Sequence, residues 1–448
     1  MATALNLLER SIAHESSAGY TSRTVPGIDA IGGLEAKWPS VDLEAAALIV
    51  GRELMGGAAA AARTRAQSAA ALRSEALGGG ECGGPMASFG WTLAAATTLA
   101  DEQAPQIVMA VDGDGVLRGV APLARPIGWG AARWEMLGVG RLNEPADFVY
   151  TDREALGALA DAIVRLRQPL LLGRMPEDSP TIEALRTASR GRAIVVVRPQ
   201  ASCPFITLDE SWQSPEGHLS SRRRSDYRRA KRRAERDGEV RAEVLAPASD
   251  QLDELLKIAY DIEARSWKGE AGTALACDPL RGGHLRRFAD WAAKAGTLRI
   301  GLLWIGHQPV AMQIATEEAG RWWLLKIGFD PAWADCSPGT LLLGETIRHA
   351  VRQKLSAYEF LGTVEPWTQV WTQEEHRCVS LRLYPFGLRG AAAFAADTVT
   401  VARRRSTAAL QRWRGRFRGA AARADGDASP PASSETTAAD ADERPTSG

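Results

Sequence analysis

The sequence predicts a mixed α/β (α+β) protein built from two lobes, each a mixed, mostly antiparallel sheet flanked by helices. Three observations predict it. Short apolar runs of strand length alternate with amphipathic stretches of helical length. Two of the runs on each side are joined by tight-turn signals, Asp112-Gly113-Asp114-Gly115 in one half and Gly306-His307-Gln308-Pro309 in the other. Both halves open with a helix followed by an antiparallel strand pair, a shared order that suggests two copies of one fold. The chain has 448 residues, enough for two or three domains at roughly 150 residues each.

Residues 1–84 read as a low-complexity, Ala/Gly-rich extension. Residues 41–78 are helical by propensity but interrupted by Gly51, Gly56 and Gly57, and Gly78–Gly80 with Gly83–Pro85 break the chain. A first lobe spans 85–219, with a helix at Ser88–Ala100 and strands at Gln106–Val111 and Val116–Leu123. Further strand-like runs follow at Trp134–Val139, Pro169–Leu172 and Ala193–Val197, with helices at Arg153–Leu166 and Thr181–Ala188 between them. Residues 220–238 form a connecting helix with nine basic residues against three acids. A second lobe spans 239–396. Its helices are Asp253–Ser266, His284–Ala295 and Gly339–Lys354; its strands are Leu298–Trp304, Val310–Thr316, Trp322–Phe329 and Ala357–Leu361. Residues 397–448 form a tail, Arg-rich and then acidic, whose Ser/Thr/Ala/Pro-rich end reads as disordered.

Composition excludes several classes. Formal net charge is zero with a pI near 7.0, against a nucleic-acid coat or a polybasic membrane binder. Five scattered cysteines (Cys82, Cys203, Cys277, Cys336, Cys378), with no C-x-x-C pair, give neither a disulfide framework nor zinc spacing, so a reducing compartment and no metal are expected. Met1–Arg10 lacks the basic-then-apolar order of a signal peptide, and no stretch approaches ~18 uninterrupted apolar residues. A cytoplasmic protein without a transmembrane segment is the expectation. Of the 54 basic residues 47 are Arg, which fits a compositional bias of the Ala-rich chain as well as it fits function.

The segment Trp322–Pro366 carries the chemistry. A strand leads through Asp330-Pro331 to Ser337-Pro338-Gly339, where Ser337 suits an N-cap, Pro338 the first turn and Gly339 a close approach to the backbone. Helix N–H groups and the helix dipole at such a junction suit an anion, although many strand–helix junctions of this kind bind nothing.

The series "RRRSDYRRAKRRAERDG", "YDIEARSWKG", "GLLWIGHQPVAMQIA", "WWLLKIGFDPAWADCSPGTLLL" and "YEFLGTVEPWTQVW" resembles the GNAT-like acyltransferase domain of CelD-type cellulose-biosynthesis proteins, relatives of FemAB-type transferases. The resemblance covers about Ser220–Phe386, and "PMASFGWTLAAATTLADEQ" with "GVLRGVAPL" looks like the degenerate N-terminal lobe of such proteins. The family's Ser-Pro-Gly matches Ser337, Pro338 and Gly339; its Phe-Leu-Gly matches Phe360, Leu361 and Gly362; its acid before an aromatic matches Glu365 and Trp367. Where the family has Tyr-Lys before a nearby Trp, this chain has Trp367-Thr368 and then Trp371, a departure that bears on acceptor binding and catalysis.

The resemblance implies tandem GNAT-like lobes and acetyl-CoA or another acyl-CoA as co-substrate. It implies a diphosphate on the amides after Ser337, with Gly339 and Thr340, and a pantetheine arm along the strand edge at Ile327 and Phe329. Acyl transfer to an amine needs a proton acceptor and a stabilised oxyanion. Glu365 is the first candidate base, though a solvated loop acid fits its position equally. His376 is a second candidate base and Tyr384 a candidate acid for the leaving thiolate; a surface His and a packing Tyr fit as well. Trp267, Trp367 and Trp371 are candidate walls of an acceptor pocket or members of the core. Lys326 faces a carboxylate, a phosphate or solvent. Cys336 lies where a helix dipole lowers a thiol pKa, with no base spaced to make it a nucleophile.

Three functions remain open at this level. The first is an acyl-CoA-dependent N- (or O-) acyltransferase acting on a small molecule, a sugar or an exopolysaccharide or cellulose precursor. The second is a FemAB-like aminoacyl-tRNA-dependent transferase, with the basic helix as a tRNA contact. The third is a non-catalytic accessory protein, to which Thr368 lends weight. A solvated connecting helix, its Arg residues paired with acids of both lobes, is favoured for 220–238, and oligomeric state is not encoded in any motif.

Overall fold

The computed structural model describes residues 12–15, 20–27, 31, 34, 35, 84–128, 133–266, 278–400 and 403. The Ala-rich stretch 41–78 and Trp267 lie outside the described residues. The chain forms two compact units, Met1–Ala393 and Phe394–Gly448; the sheet and the site belong to the first.

The first half contains strands β1 (Ile12–Glu15) and β2 (Thr21–Pro26), helix α1 (Phe89–Thr98), and strands β3 (Gln103–Val111), β4 (Leu117–Pro126) and β5 (Trp134–Met136). Helix α2 (Val139–Leu142), strand β6 (Val149–Tyr150), helix α3 (Arg153–Arg165), strand β7 (Leu170–Pro176), helix α4 (Pro180–Ala188) and the long strand β8 (Ala193–Thr207) follow. The second half contains α5 (Ser221–Asp237), β9 (Val240–Leu245), α6 (Leu252–Arg265), α7 (Pro279–Lys294), β10 (Leu298–Ile305), β11 (Gln308–Glu318) and β12 (Arg321–Phe329). It ends with α8 (Pro338–Arg352), β13 (Ala357–Glu359) and β14 (Glu375–Pro385).

Local chemistry explains the boundaries. The Asp152 carboxylate accepts from the Ala155 N–H at 2.7 Å and starts α3, and Asp278 accepts from the Leu280 and Arg281 N–H groups to start α7. In the first hairpin the Asp112 carboxylate accepts from the Asp114 and Val116 N–H groups, closing the turn from within.

The strands form one mixed sheet flanked by helices, in the order β1-β2-β3-β4-β5-β7-β14-β8-β13-β12-β11-β10-β9, with β6 on β4. Two pairs are parallel, β5 with β7 and β12 with β13, and each closes a strand–helix–strand crossover. The remaining pairs are antiparallel. Three features lie beyond the expectations from sequence. The stretch read as an extension supplies β1 and β2, and β2 pairs with β3. Residues 375–385, for which the sequence reading gives no strand, form β14 and insert between β7 and β8. Strand β8 crosses from β14, paired over Ala193–Pro204, to β13, paired over Phe205–Thr207. The halves therefore exchange strands and share a continuous sheet.

Helix α8 covers one face of the second half. Leu341, Leu342 and Ile347 pack there with Trp322, Leu324, Tyr358 and Phe360. A buried hydrogen-bonded chain fastens α8 to the sheet: the Tyr358 hydroxyl donates to Gln313 Oε1 at 3.1 Å and lies 3.0 Å from Thr346 Oγ1. Helices α6 and α7 cover the opposite face through Leu256, Ile262, Phe288 and Ala292. The basic helix α5 buries only Tyr227, Ala230 and Ala234. Its Arg224 donates to the carbonyls of Glu216, Gly217 and Leu219, and its Arg233 to that of Asp335. Among the described residues its ion pair is internal, Arg229 with Asp226 at 3.8 Å, and not with acids of both lobes. No helix among the described residues is long and apolar enough to cross a membrane.

Candidate functional site

The site begins where two parallel strands stop pairing. Strand β13 pairs with Arg321–Trp323 of β12 and with nothing beyond it, while β12 continues to Phe329 against β11. The cause is local. Leu361 and Gly362 take left-handed conformations, at φ 56° and 55°, and turn the chain out of the sheet immediately after β13. A left-handed Leu is costly unless its surroundings impose it, and here they do. Arg174 on β7 donates through Nη2 to the Gly362 carbonyl, and Glu144, in the loop after α2, accepts from the Gly362 N–H in a long 3.4 Å contact. Gly362 of the second half is thus held at its N–H and at its carbonyl, in two successive peptides, by side chains of the first.

Strand β12 contributes a second irregularity. Ile314 pairs with Lys326 and Ala315 with Leu324, so Leu325 is bulged. Bulges re-aim neighbouring side chains. Beyond this one Lys326 points to the α6 face and meets the buried Glu263 at 3.4 Å. Gly328 lets α6 come this close, since a Cβ there would lie 3.2 Å from Glu263 Cα. The end of α6 is tied to the following loop, where Arg265 Nε donates to Asp330 Oδ2 at 2.8 Å.

That loop delivers the start of α8 to the same region. Ser337 adopts φ 44° and makes no side-chain cap, and its carbonyl accepts from the Thr340 and Leu341 N–H groups. Ser337 is exposed, and Gly339 and Thr340 are half-buried. A Cβ on Gly339 would meet Phe329 Cδ1 at 3.5 Å, an ordinary contact. Ile327 and Phe329 lie on β12 past its pairing with β13. The structure therefore brings together Ile327, Phe329, Ser337, Gly339 and Thr340 around one wedge. Cys336, beside them, has its thiol pKa raised, first by desolvation and then by Asp237 and Asp335.

On the face opposite α8 lies a cavity of about 470 Å³. Because side chains alternate along a strand, Trp323 and Glu359 face it while Trp322 and Tyr358 face α8; Leu361, Pro145, Cys203 and His376 also line it. Glu359 is 1% exposed and accepts from Arg321 Nη1 at 2.6 Å. His376 Nε2 lies 3.1 Å from Glu359 Oε2, and its ring stacks on Phe205 at 3.9 Å between centroids. A second buried acid on the wall, Asp147, accepts from the Thr181 hydroxyl and the Phe148 N–H at 2.7 Å each and from the Ser179 hydroxyl. Burial pushes its carboxyl up to about 6.

The remaining candidates sit elsewhere. Glu365 is exposed: its carboxylate accepts from Trp367 Nε1 at 2.8 Å, and its backbone N–H and carbonyl both engage the Thr368 hydroxyl. Thr368, at the position of the family's Lys, is thereby spent on closing this turn. Tyr384 lies on β14 opposite Ile194, eight residues from His376 along the strand, roughly 26 Å at ~3.3 Å per residue. Trp371 is buried in the core against α8, and Trp367 packs at its margin against Phe360.

Glu144 carries no motif in the sequence. Its carboxyl is raised to about 7 by burial, which outweighs the opposing pull of Arg174, the Gly362 N–H, Lys326 and Arg281. A Glu-Pro step after a short helix was the available signal, and it is indistinguishable from an ordinary loop.

Residues 221–369 match the family described as "Acetyltransferase (GNAT) domain". The wedge, the bulged strand and the start of α8 all fall within this stretch, which has the GNAT-type acyltransferase fold. No curated protein matches the chain. Among solved structures the chain is similar to FemX, at 12% identity over 71% of this chain and 96% of that one, with a TM-score of 0.46. It is also similar to the C-terminal domain of a putative lysylphosphatidylglycerol synthetase from Agrobacterium fabrum, at 12% identity over 69% and 91%, with a TM-score of 0.42. A tandem GNAT protein from the clavulanic acid biosynthesis pathway aligns at 13% identity over 82% and 99%, with a TM-score of 0.36.

The raised Glu144 carboxyl has a consequence for stability. Its folded pKa lies above the ordinary carboxylate value, so its contribution is fully present in acid and is lost as pH rises through about 7. Glu144→Gln removes that loss. The thermal midpoint of the variant relative to the parent should rise by about 2 °C between pH 5 and pH 8, and calorimetry at the two pH values checks it; a pH-independent difference would contradict the assignment.

Proposed function

We propose that this protein is an acyl-CoA-dependent N-acyltransferase whose co-substrate lies in the wedge between β12 and β13. The observation that carries this reading is the coincidence of three features within the GNAT-matched segment: strands that part after three pairs, a bulge in the longer one, and the start of α8 at their open end. Backbone N–H groups at the first turn of α8 suit a diphosphate, and the β12 edge around Ile327 and Phe329 suits the amide-bearing arm of the cofactor. The residues present fit that group: Gly339 keeps the helix start accessible, and no acidic side chain stands in the first turn of α8. The cofactor supplies a thioester carbonyl, the electrophile of the reaction.

The protein's own part is to deprotonate the acceptor, orient it and exclude water. An attacking amine has to lose a proton, and a carboxylate held near neutral pH by burial suits that task. Glu144 meets both requirements at the wedge and is the base in this reading. His376, held by Glu359 and stacked on Phe205, is oriented on the wall of the adjoining cavity, where it suits acceptor binding or relay of the proton. The CelD-type resemblance suggests a saccharide-borne amine as acceptor class, in exopolysaccharide or cellulose biosynthesis.

A second reading has its own observation. The α5 residues Arg222, Arg223, Arg228, Arg229, Lys231 and Arg232 are exposed, and Arg233 ties α5 to the loop before α8, an arrangement that suits a polyanion such as aminoacyl-tRNA. Salt-sensitive tRNA binding in the absence of acyl-CoA binding would favour it.

Acetyl-CoA should bind the parent protein in calorimetry, and Gly339→Leu should weaken binding by about tenfold or more with an unchanged thermal midpoint; equal affinities would remove the anion-site part of this reading. Glu144→Gln should lower kcat by about 100-fold and abolish the acidic limb of the pH–rate profile near pH 7, whereas Glu365→Gln should leave that limb in place. Retention of the limb in Glu144→Gln would clear Glu144 of the role.

A further inference from the structure

The cavity beside the wedge is charged in one sense. Among its described lining residues stand five carboxylates, Asp147, Glu177, Asp178, Glu359 and Glu375, against the guanidinium of Arg377. Their partners divide them into two groups. Glu359 is compensated by Arg321 and engaged with His376, and Glu177 has Arg377 at 3.9 Å. Asp147, Asp178 and Glu375 have no ion pair among the described residues.

Asp147 is the informative member. It is 8% exposed, and its hydrogen bonds come from two hydroxyls and one backbone N–H, all neutral donors. A buried carboxylate without a counter-charge is costly, and proteins ordinarily pair such a group. Thr181 and Phe148 donate to Oδ1 and Ser179 to Oδ2, so an amide could accept from only two of the three. The place calls for a carboxylate, yet none of these donors neutralises its charge. Asp178 and Glu375 are exposed at the same cavity, so one buried and two exposed uncompensated charges line a single space.

Building on the transferase reading, we infer that the cavity binds an amine acceptor that carries a second cationic nitrogen, with Asp147 holding that second charge. The reacting nitrogen then lies toward the parting of β12 and β13, whose residues Trp323, Glu359 and Leu361 line the cavity. The distal cation replaces the missing counter-ion of Asp147. Asp178 and Glu375 draw the dication in and set its salt dependence. Asp147 is a specificity residue: it does not act on the reacting atoms.

The test compares two probes, 1,4-diaminobutane and butylamine, by calorimetric titration of the full chain at low salt, with acetyl-CoA titrated separately. The diamine should bind about tenfold or more tightly than the monoamine, and the gap should shrink to about twofold in Asp147→Asn. The double variant Asp178→Asn/Glu375→Gln, confined to exposed side chains, should also narrow it and flatten its salt dependence; it decides the matter if Asp147→Asn does not fold. Equal binding of the two amines by the parent protein, or an undiminished gap in both variants, would overturn the inference. If acetyl-CoA fails to bind while the gap stands, the transferase reading falls and the dication site remains. If acetyl-CoA binds and the amines tie, the dication site alone falls.

Discussion

The architecture depends on one clamped residue, Gly362. Arg174 and Glu144 grip the carbonyl and N–H of Gly362, and that grip holds Leu361 and Gly362 in left-handed conformations that end β13 after three residues. If β13 ran on, it would pair with Lys326–Phe329 and close the sheet. Because it turns away, β12 keeps a long unmatched stretch with the start of α8 at its foot. The wedge is therefore produced by side chains of the first half acting on the backbone of the second, and the GNAT-matched segment depends for its shape on the preceding lobe.

Strand exchange gives the clamp its rigidity. Strand β14 lies between β7 and β8, and β8 continues onto β13, so the strand bearing Arg174 and the strand preceding Gly362 are fixed within one hydrogen-bonded sheet. Separate lobes joined by a helix would leave the Glu144–Gly362 contact to the weak forces between domains. Here it is set by ladder registers. The same exchange brings His376 of β14 against Glu359 of β13 and Phe205 of β8. The cavity wall is assembled from strands that are distant in sequence.

Much of the scaffold was legible beforehand because it is encoded locally. Ser88 announces a helix start, Asp112–Gly115 announces a hairpin, and the apolar stripe after Ser337-Pro338-Gly339 announces α8, whereas α7 begins at Pro279, ahead of the expected His284. The junction Ser337-Pro338-Gly339 stands out for the same reason, while Ile327 and Phe329 stand out through the family resemblance. What escaped is non-local. Glu144 has no motif, and it acquires its raised carboxyl and its partner only through a contact spanning 218 residues. Glu365 looked suitable from its place after the last strand of the motif, but the Thr368 hydroxyl and the Trp367 indole fold it into an exposed turn. Tyr384 stands close to His376 in sequence, yet an extended strand carries the two far apart. Burial and the neighbouring Asp237 and Asp335, which the local sequence pattern does not report, push the Cys336 thiol up.

The central claim is that the parting of β12 and β13 holds an acyl-CoA against the start of α8. Amide hydrogen exchange of the full chain with and without acetyl-CoA tests it most directly. Protection should appear at Leu325–Phe329 and at Gly339–Leu341, where the arm and the diphosphate would engage the backbone, with β3 and β4 unaffected. Binding that protects the first half alone, or that leaves both of these segments exchanging at the unliganded rate, would contradict it.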